Sequence, residues 1–244
     1  MMFNAQAIVR KSINNATTQF DKLGYVGNDL ENYNTYGYKS VRFEQMLRED
    51  GYIAGAQRTD CSQGSVRITE NPYDVAIEGA GYIPVTSEDG EVQYTRDGSF
   101  TVNTEGYLVT KDGDYVLNAT GAMNGDPSRN NFIQVDPNAT VTVNKMGYVI
   151  QNDQVVGTLG VVDVDNYDYL EKYGENMYNL LDGGNRIATD AKVEQGVLET
   201  SNVNVVNEMV NMITIQRAYE ANQKVITSID STLDRAVNNV GRVQ

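Results

Sequence analysis

Histidine and tryptophan are absent from the 244 residues, cysteine occurs once, at Cys61, and there are 4 prolines. Without histidine the chain lacks the commonest general base and the commonest metal ligand, which removes Ser-His-Asp catalysis, Cys-His catalysis and histidine–zinc sites. One cysteine excludes an intramolecular disulfide, and no imidazole exists to activate it as a nucleophile. Basic residues are also scarce: 19 stand against 33 acidic, for a net charge of −14. Such a surface repels phosphate backbones and anionic lipid, so nucleic acid is not expected as a partner. No apolar run approaches the length that spans a bilayer, so membrane insertion is not expected either. The first residues, Met1-Met2-Phe3-Asn4-Ala5-Gln6, lack the basic-then-apolar pattern of a cleaved secretory signal. The expectation is a protein that stays in the cytoplasm or is exported with its N-terminus intact.

Phosphate- and metal-binding motifs are missing too. There is no Gly-x-x-x-x-Gly-Lys-Ser/Thr loop, and Gly79-Ala80-Gly81 lacks the third glycine of a dinucleotide site. Glycoside hydrolysis needs only two carboxylates, but among so many acids a facing pair carries no information. Asp163, Asp165 and Asp168 resemble part of a calcium loop without its sixth-position glycine or closing glutamate, and read better as a solvated acidic turn. No catalytic, cofactor or metal residue is assigned, and an enzyme is not expected.

What is present begins at the two ends. From Asn202 to Val240 there is no glycine or proline, and Val205, Met209, Met212, Tyr219, Ile226, Leu233, Val237 and Val240 recur in three- and four-residue steps. Ile13, Ala16, Phe20, Leu23 and Leu30 trace a similar line near the start. Alternating three-four spacing is the seam of a coiled-coil strand. The seams are interrupted by Gln216, Gln223, Asp230 and Gly27. Burying one aliphatic side chain contributes roughly 1.5–3 kcal/mol, while ordering each residue's backbone costs about 1–2 kcal/mol. Terminal helices of this kind are therefore expected to be marginal alone and ordered by packing.

The middle reads as short strands punctuated by Asp89-Gly90, Asp97-Gly98, Glu105-Gly106 and Asp112-Gly113, which are hairpin signals. Strands are expected at Tyr82–Val85, Val92–Thr95, Phe100–Val102, Tyr107–Val109, Tyr115–Leu117, Phe132–Val135, Val141–Val143, Val149–Gln151 and Val155–Val164. Their spacing argues for an antiparallel sandwich or barrel. The expected class is α+β: an antiparallel all-β middle domain flanked by long N- and C-terminal helices that pair as a coiled coil. Its expected parts are an N-terminal helix over 1–33, an extended connector over 34–65, a β domain over 66–197 and a C-terminal helix over 198–244. A short helix is left open at Val41–Asp50. The expected assembly interface is the seams: Ile13, Phe20, Leu23 and Leu30 at one end, Val205, Met209, Met212, Tyr219, Ile226, Leu233 and Val237 at the other.

Several ordered blocks then resemble one family. Gly27-Asn28-Asp29-Leu30-Glu31-Asn32-Tyr33-Asn34-Thr35-Tyr36-Gly37-Tyr38-Lys39 is similar to the N-terminal signature of bacterial flagellar rod and hook proteins, with Gly27, Asp29 and Glu31 departing from it. Asp74-Val75-Ala76-Ile77-Glu78-Gly79-Ala80-Gly81-Tyr82, Tyr94-Thr95-Arg96-Asp97-Gly98-Ser99-Phe100 and Gly174-Glu175-Asn176-Met177-Tyr178 resemble its β-domain signatures. Gly196-Val197-Leu198-Glu199-Thr200-Ser201-Asn202-Val203-Asn204-Val205, then Glu208-Met209-Val210-Asn211-Met212-Ile213 and Gln216-Arg217-Ala218-Tyr219-Glu220-Ala221-Asn222, resemble its C-terminus.

The resemblance implies a structural subunit that polymerises helically into a hollow axial drive shaft, with the terminal helices inside and the β domain outside. The partners it implies are further copies of the chain, other rod proteins, the hook protein and the flagellar type III export apparatus. It implies no cofactor, and a place in the flagellar basal body. The middle is too short for a hook protein's extra domains. The C-terminal blocks are most like the distal rod type, while the short connector leaves a proximal type open. The competing reading is an acidic cell-surface or extracellular β-domain binding module.

Overall fold

A computed structural model describes residues 2–50, 52–87, 89–174 and 176–240. The chain opens with helix α1 (Met2–Glu31) and strands β1 (Val41–Leu47) and β2 (Ile53–Thr59). There follow β3 (Val66–Ile68), β4 (Val75–Glu78), β5 (Ile83–Thr86), β6 (Val92–Thr95), β7 (Thr101–Val102), β8 (Leu108–Val109) and β9 (Tyr115–Val116). A short helix α2 (Ala119–Asn124) precedes β10 (Val141–Val143), β11 (Tyr148–Gln151), β12 (Gln154–Thr158) and β13 (Asp163–Val164). Then come β14 (Leu170–Tyr173), β15 (Met177–Leu180), β16 (Arg186–Ile187), β17 (Lys192–Gln195), β18 (Val197–Glu199) and helix α3 (Val205–Val240). The chain divides into a helical unit (1–31, 40–60 and 203–244) and a β unit (32–39 and 61–202).

In the helical unit, α3 starts where Asn204 caps it, its side-chain oxygen accepting from the Asn207 N–H at 3.1 Å. Val41–Asp50 is not a helix. β1 and β2 form an antiparallel hairpin in register from Val41↔Thr59 to Leu47↔Ile53, so the segment expected to be extended folds back on α1. Tyr25 of α1 stacks on Phe43 at 5.3 Å. Asn14 Oδ1 accepts from the Ile53 N–H at 2.8 Å, and the Asp29 carboxylate accepts from the Val41 N–H at 3.2 Å.

The coiled coil expected at the termini does not form. α1 divides its buried face between α3 and this hairpin, whereas a coiled-coil strand gives one seam to its partner. Ile13 (51 % exposed), Phe20 (66 %) and Met209 (53 %) point largely to solvent. Among the described residues, Val26 and Ile215 are the fully buried apolar side chains of the unit. The half-buried stripe of α3 runs Val205, Glu208, Met212, Ile215, Tyr219, Asn222, Ile226, Ile229 and Leu233. One row of the expected seam is thus displaced by one residue, and Gln216, Gln223 and Asp230 are exposed. The contact with α1 includes a polar pair, Asn15 Nδ2 to Asn222 Oδ1 at 3.1 Å.

The β unit is antiparallel throughout its pairings, as its hairpin-rich sequence requires. Its largest sheet has strand order β14-β15-β6-β5-β9-β8-β7, and β10-β11-β12 form a smaller one. Val75, Ile77, Ile83, Val85, Phe100 and Val116 centre the main core. Tyr82, Tyr94, Tyr178, Val162 and Val164 form a second. Among the glycines of the four expected turns, Gly90, Gly106 and Gly113 take positive φ and Gly98 does not. The long strand expected at Val155–Val164 is interrupted, because residues 159–162 leave β12 to bridge Asn118 and Tyr82. Phe132–Val135 contributes isolated bridges rather than a strand. The pairings of β3 with β18 and β4 with β17 were not legible from periodicity.

Candidate functional site

Three of the family-like blocks meet at one buried carboxylate. Glu199, closing β18, accepts from Lys39 Nζ at 2.6 Å and from the Gly64 N–H at 2.8 Å on one oxygen, and from Arg96 Nη1 at 3.1 Å on the other. Lys39 and Glu199 side chains are each 1 % exposed. Further donors reach main-chain carbonyls, while Arg96 Nε is buried with no hydrogen-bond partner. Lys39 Nζ donates to Ser62 O at 2.7 Å, and Arg96 to Ile77 O at 3.4 Å and Gly79 O at 2.6 Å. Two cations and one carboxylate removed from water lose hydration worth several kcal/mol per ion, recovered only where geometry and further hydrogen bonds are good. Burial pushes the Lys39 ammonium below its ordinary value, against the opposing pull of Glu199.

Local sequence builds each side of this knot. After β6, Thr95 Oγ1 accepts from the Asp97 N–H at 3.0 Å. Asp97 Oδ1 in turn accepts from the Ser99 N–H at 2.9 Å and the Ser99 hydroxyl at 2.6 Å. This side-chain-to-backbone ladder turns the chain and aims Arg96 inward. Burial raises the Asp97 carboxyl, with the Ser99 hydrogen bonds pulling the other way. Gly98 is required by close approach, since a Cβ there would lie 1.8 Å from Val75 O. Gly37 is required twice over. Its φ is +69°, and a Cβ would meet Asp97 N at 2.3 Å. Its N–H donates to Glu199 O at 2.9 Å.

The other blocks close the ring. Asn176 Nδ2 donates to Tyr36 O at 3.4 Å and Asp97 Oδ2 at 3.2 Å. Its neighbour Glu175 lies outside the described residues. The Lys172 ammonium sits 3.6 Å from the centroid of the Tyr38 ring, a cation–π contact. Asn202 Nδ2 donates to Ser62 O at 3.1 Å, and its N–H reaches Tyr38 O at 3.4 Å. The Tyr82 hydroxyl donates to Cys61 Sγ at 3.4 Å, and burial beside that thiol pushes the phenol up. The chain passes between units at 31/32, 39/40, 60/61 and 202/203. The knot ties together segments that adjoin three of those passages, at Lys39, Ser62 and Asn202.

The arrangement is a fastening. Its charged groups face one another and main-chain carbonyls. Among the described residues there is no group of three metal-ligating side chains. Lys39, Arg96 and Glu199 each stand inside a family-like block, and no local pattern announces that they meet. The signal was a lone charge within a run that otherwise reads as buried: Tyr38-Lys39, Tyr94-Thr95-Arg96, Val197-Leu198-Glu199.

The expected assembly residues lie in the helical unit. Ile13, Phe20 and Met209 are exposed, and Leu23, Leu30, Val205, Met212, Tyr219, Ile226 and Leu233 are half-buried. The Val237 side chain lies outside the described residues.

Comparison with known proteins agrees with this layout. A family model described as "Flagellar hook protein FlgE/F/G D1 domain" matches residues 76–151, and one described as "Flagellar basal body rod FlgEFG protein C-terminal" matches residues 194–239. The chain is 37 % identical over 238 residues to the flagellar basal-body rod protein FlgF of Caulobacter vibrioides, covering 91 % of this chain and 93 % of that protein. It is 33 % identical to the flagellar basal-body rod protein FlgG of Buchnera aphidicola subsp. Acyrthosiphon pisum, over 87 % and 92 % of the two chains. The identity to FlgG of Bacillus subtilis is 30 %, over 89 % and 92 %. With relatives matched across nearly their whole length, the chain belongs to the family of flagellar basal-body rod proteins.

Proposed function

We propose that this chain is a structural subunit of the flagellar basal-body rod, assembling with further copies of itself and with other flagellar components. The observation that carries the proposal is the full-length relation to basal-body rod proteins, 91 % of this chain against 93 % of the relative. Its role is mechanical and needs no catalysis. The finer expectations are a helical homo-oligomer, other rod proteins and the hook protein as neighbours, and delivery by the flagellar type III export apparatus with no cleaved signal peptide.

The surface supports an assembling role for the helical unit. It has 11 acidic and 10 basic residues, a net charge of −1. It also exposes Ile13, Phe20, Val206, Met209, Val210 and Ile213. Exposed apolar side chains in number mark a surface that another molecule covers. Copies can approach there with little repulsion. Met209 and Phe20 therefore belong to the contact between copies, while Met212, Ile215 and Ile226 serve first the packing within one copy.

The test is replacement of the gene in its flagellated host by versions encoding Phe20→Asp or Met209→Asp. The expected result is loss of motility and of the chain from purified basal bodies, with the purified variants keeping the parent's circular dichroism. Wild-type motility in a strain lacking the gene would overturn the proposal. Normal assembly of both variants would remove these residues from the interface.

A further inference from the structure

Within the helical unit, the β1–β2 hairpin is fastened to α1 in a way that lets it leave. None of its strand residues is buried, and its far end exposes Met46 and Leu47, so burial of apolar side chains does little to hold it. Its backbone hydrogen bonds run between its own strands, in unbroken register from Val41↔Thr59 to Leu47↔Ile53. Its base is closed internally as well, by the Asp60 N–H donating to Ser40 O at 2.8 Å and by an Arg42–Asp60 ion pair at 2.5 Å. Lifting the hairpin as one piece breaks none of these bonds. Phe43 keeps part of its cover too. Its ring lies over Gly55 of β2, where a Cβ would come within 2.2 Å of it.

What the hairpin rests on is largely polar. Asn14, Thr18, Tyr25 and Asp29 fall on one side of α1 by their spacing. Asn14 and Asp29 accept the Ile53 and Val41 N–H groups, one from each strand, and Tyr25 receives the Phe43 ring. Water takes over hydrogen bonds of this kind at small net cost, and the buried Asp29 carboxylate recovers hydration when uncovered. Among the described residues, the unit's two fully buried apolar side chains, Val26 and Ile215, sit on α1 and α3 and not on the hairpin. Segments with few buried apolar contacts are the ones that open locally. We infer that the β1–β2 hairpin is a strap that detaches from α1 while α1 and α3 stay packed, baring a polar and aromatic face of α1 when the chain assembles. Its use in assembly rests on the rod-subunit reading, whereas detachment itself belongs to the single chain.

Amide hydrogen exchange of the purified full chain tests detachment, because the Val41 and Ile53 N–H groups are released as the strap lifts. Both are expected to be protected at least a hundredfold less than the Ile215 N–H, with protection that stays flat in low urea. Equal protection of all three, falling together as urea rises, would mean that the hairpin opens when the whole unit unfolds, and overturns the inference. Phe43→Ala should speed exchange at Val41 and Ile53 at least fivefold and leave Ile215 unchanged. An equal change at Ile215 would make the hairpin an integral part of the helix packing and counts against a strap. For assembly, a photo-crosslinking phenylalanine analogue replaces Tyr25 of the full chain in its flagellated host. The purified chain should give an internal link to residues 41–59 that keeps the mass of one copy, 27.0 kDa. Illumination of isolated basal bodies should yield at least fivefold less of that internal link. An undiminished internal link there shows the strap still closed and overturns its use in assembly. Absence of the chain from basal bodies defeats the rod-subunit reading and the assembly use with it, while the exchange rates still decide detachment.

Discussion

The helical unit and the β unit of this chain hold themselves together by different means. The β unit is strongly acidic and stacks its apolar side chains into two cores, with a charge knot sealed beside them. The helical unit is nearly neutral and buries little beyond Val26 and Ile215. It relies on side-chain hydrogen bonds in which Asn15 donates and Asn14 and Asp29 accept. A folding unit that buries few apolar groups has little to offset the entropy of ordering its chain, so the helical unit gains most from neighbours. The β unit is built to stand alone.

Separate optical signals allow that comparison to be broken. Of the 16 tyrosines, 13 lie in the β unit, so near-ultraviolet dichroism reports it, while the 222 nm signal reports α1 and α3. The largest effect is expected from Glu199→Gln, which leaves Lys39 and Arg96 buried without their counter-charge. Urea unfolding followed through the tyrosines should show a loss of about 3–5 kcal/mol. A loss below 1 kcal/mol would mean the knot is not what holds the unit.

Ile215→Ala should cost about 2–5 kcal/mol, read at 222 nm and without moving the tyrosine transition. Its neighbour Gln216→Ala should stay within about 0.5 kcal/mol. If the two substitutions exchanged their effects, the evenly spaced seam first read from the sequence would be the packed face after all. Gly37→Ala places a side chain in the left-handed region, worth about 1–3 kcal/mol before any clash with Asp97, and should lower the tyrosine transition alone.

The smallest effect is a pH dependence. Lys39 has a lowered value in the folded chain, so between that value and the ordinary 10.5 the unfolded chain binds the extra proton. Stability owed to this group therefore rises with pH across that window. The wild type should gain on Lys39→Met as pH is raised from 7 toward 10.5, measured as the difference in urea midpoints. A gap that moved the other way would contradict the burial cost assigned to Lys39.

How far the sequence could be read differs between the units for a physical reason. Asp-Gly turns between apolar runs announce hairpins because turn chemistry is local, and β5, β6 and β9 fall where it places them. The helix seam is less determinate. A heptad and a straight helix differ by about 20° over seven residues, so an apolar face can be assigned one residue off. That happened at Met209, Gln216, Gln223 and Asp230. The β1–β2 hairpin escaped because its strands carry few alternating apolar residues and are held by partners on α1.

Absence of histidine, the charge of −14, the two terminal helices, the hairpin-rich middle and the rod-family blocks were all determined by the sequence alone. Each depends on composition or on neighbours a few residues apart. Tertiary structure decided that Lys39 and Glu199, 160 residues apart, share one buried salt bridge with Arg96. It also decided which row of α3 faces inward and that β12 is left as an edge. These outcomes depend on which distant segments compete for the same buried space, and periodicity along one segment carries no record of that competition.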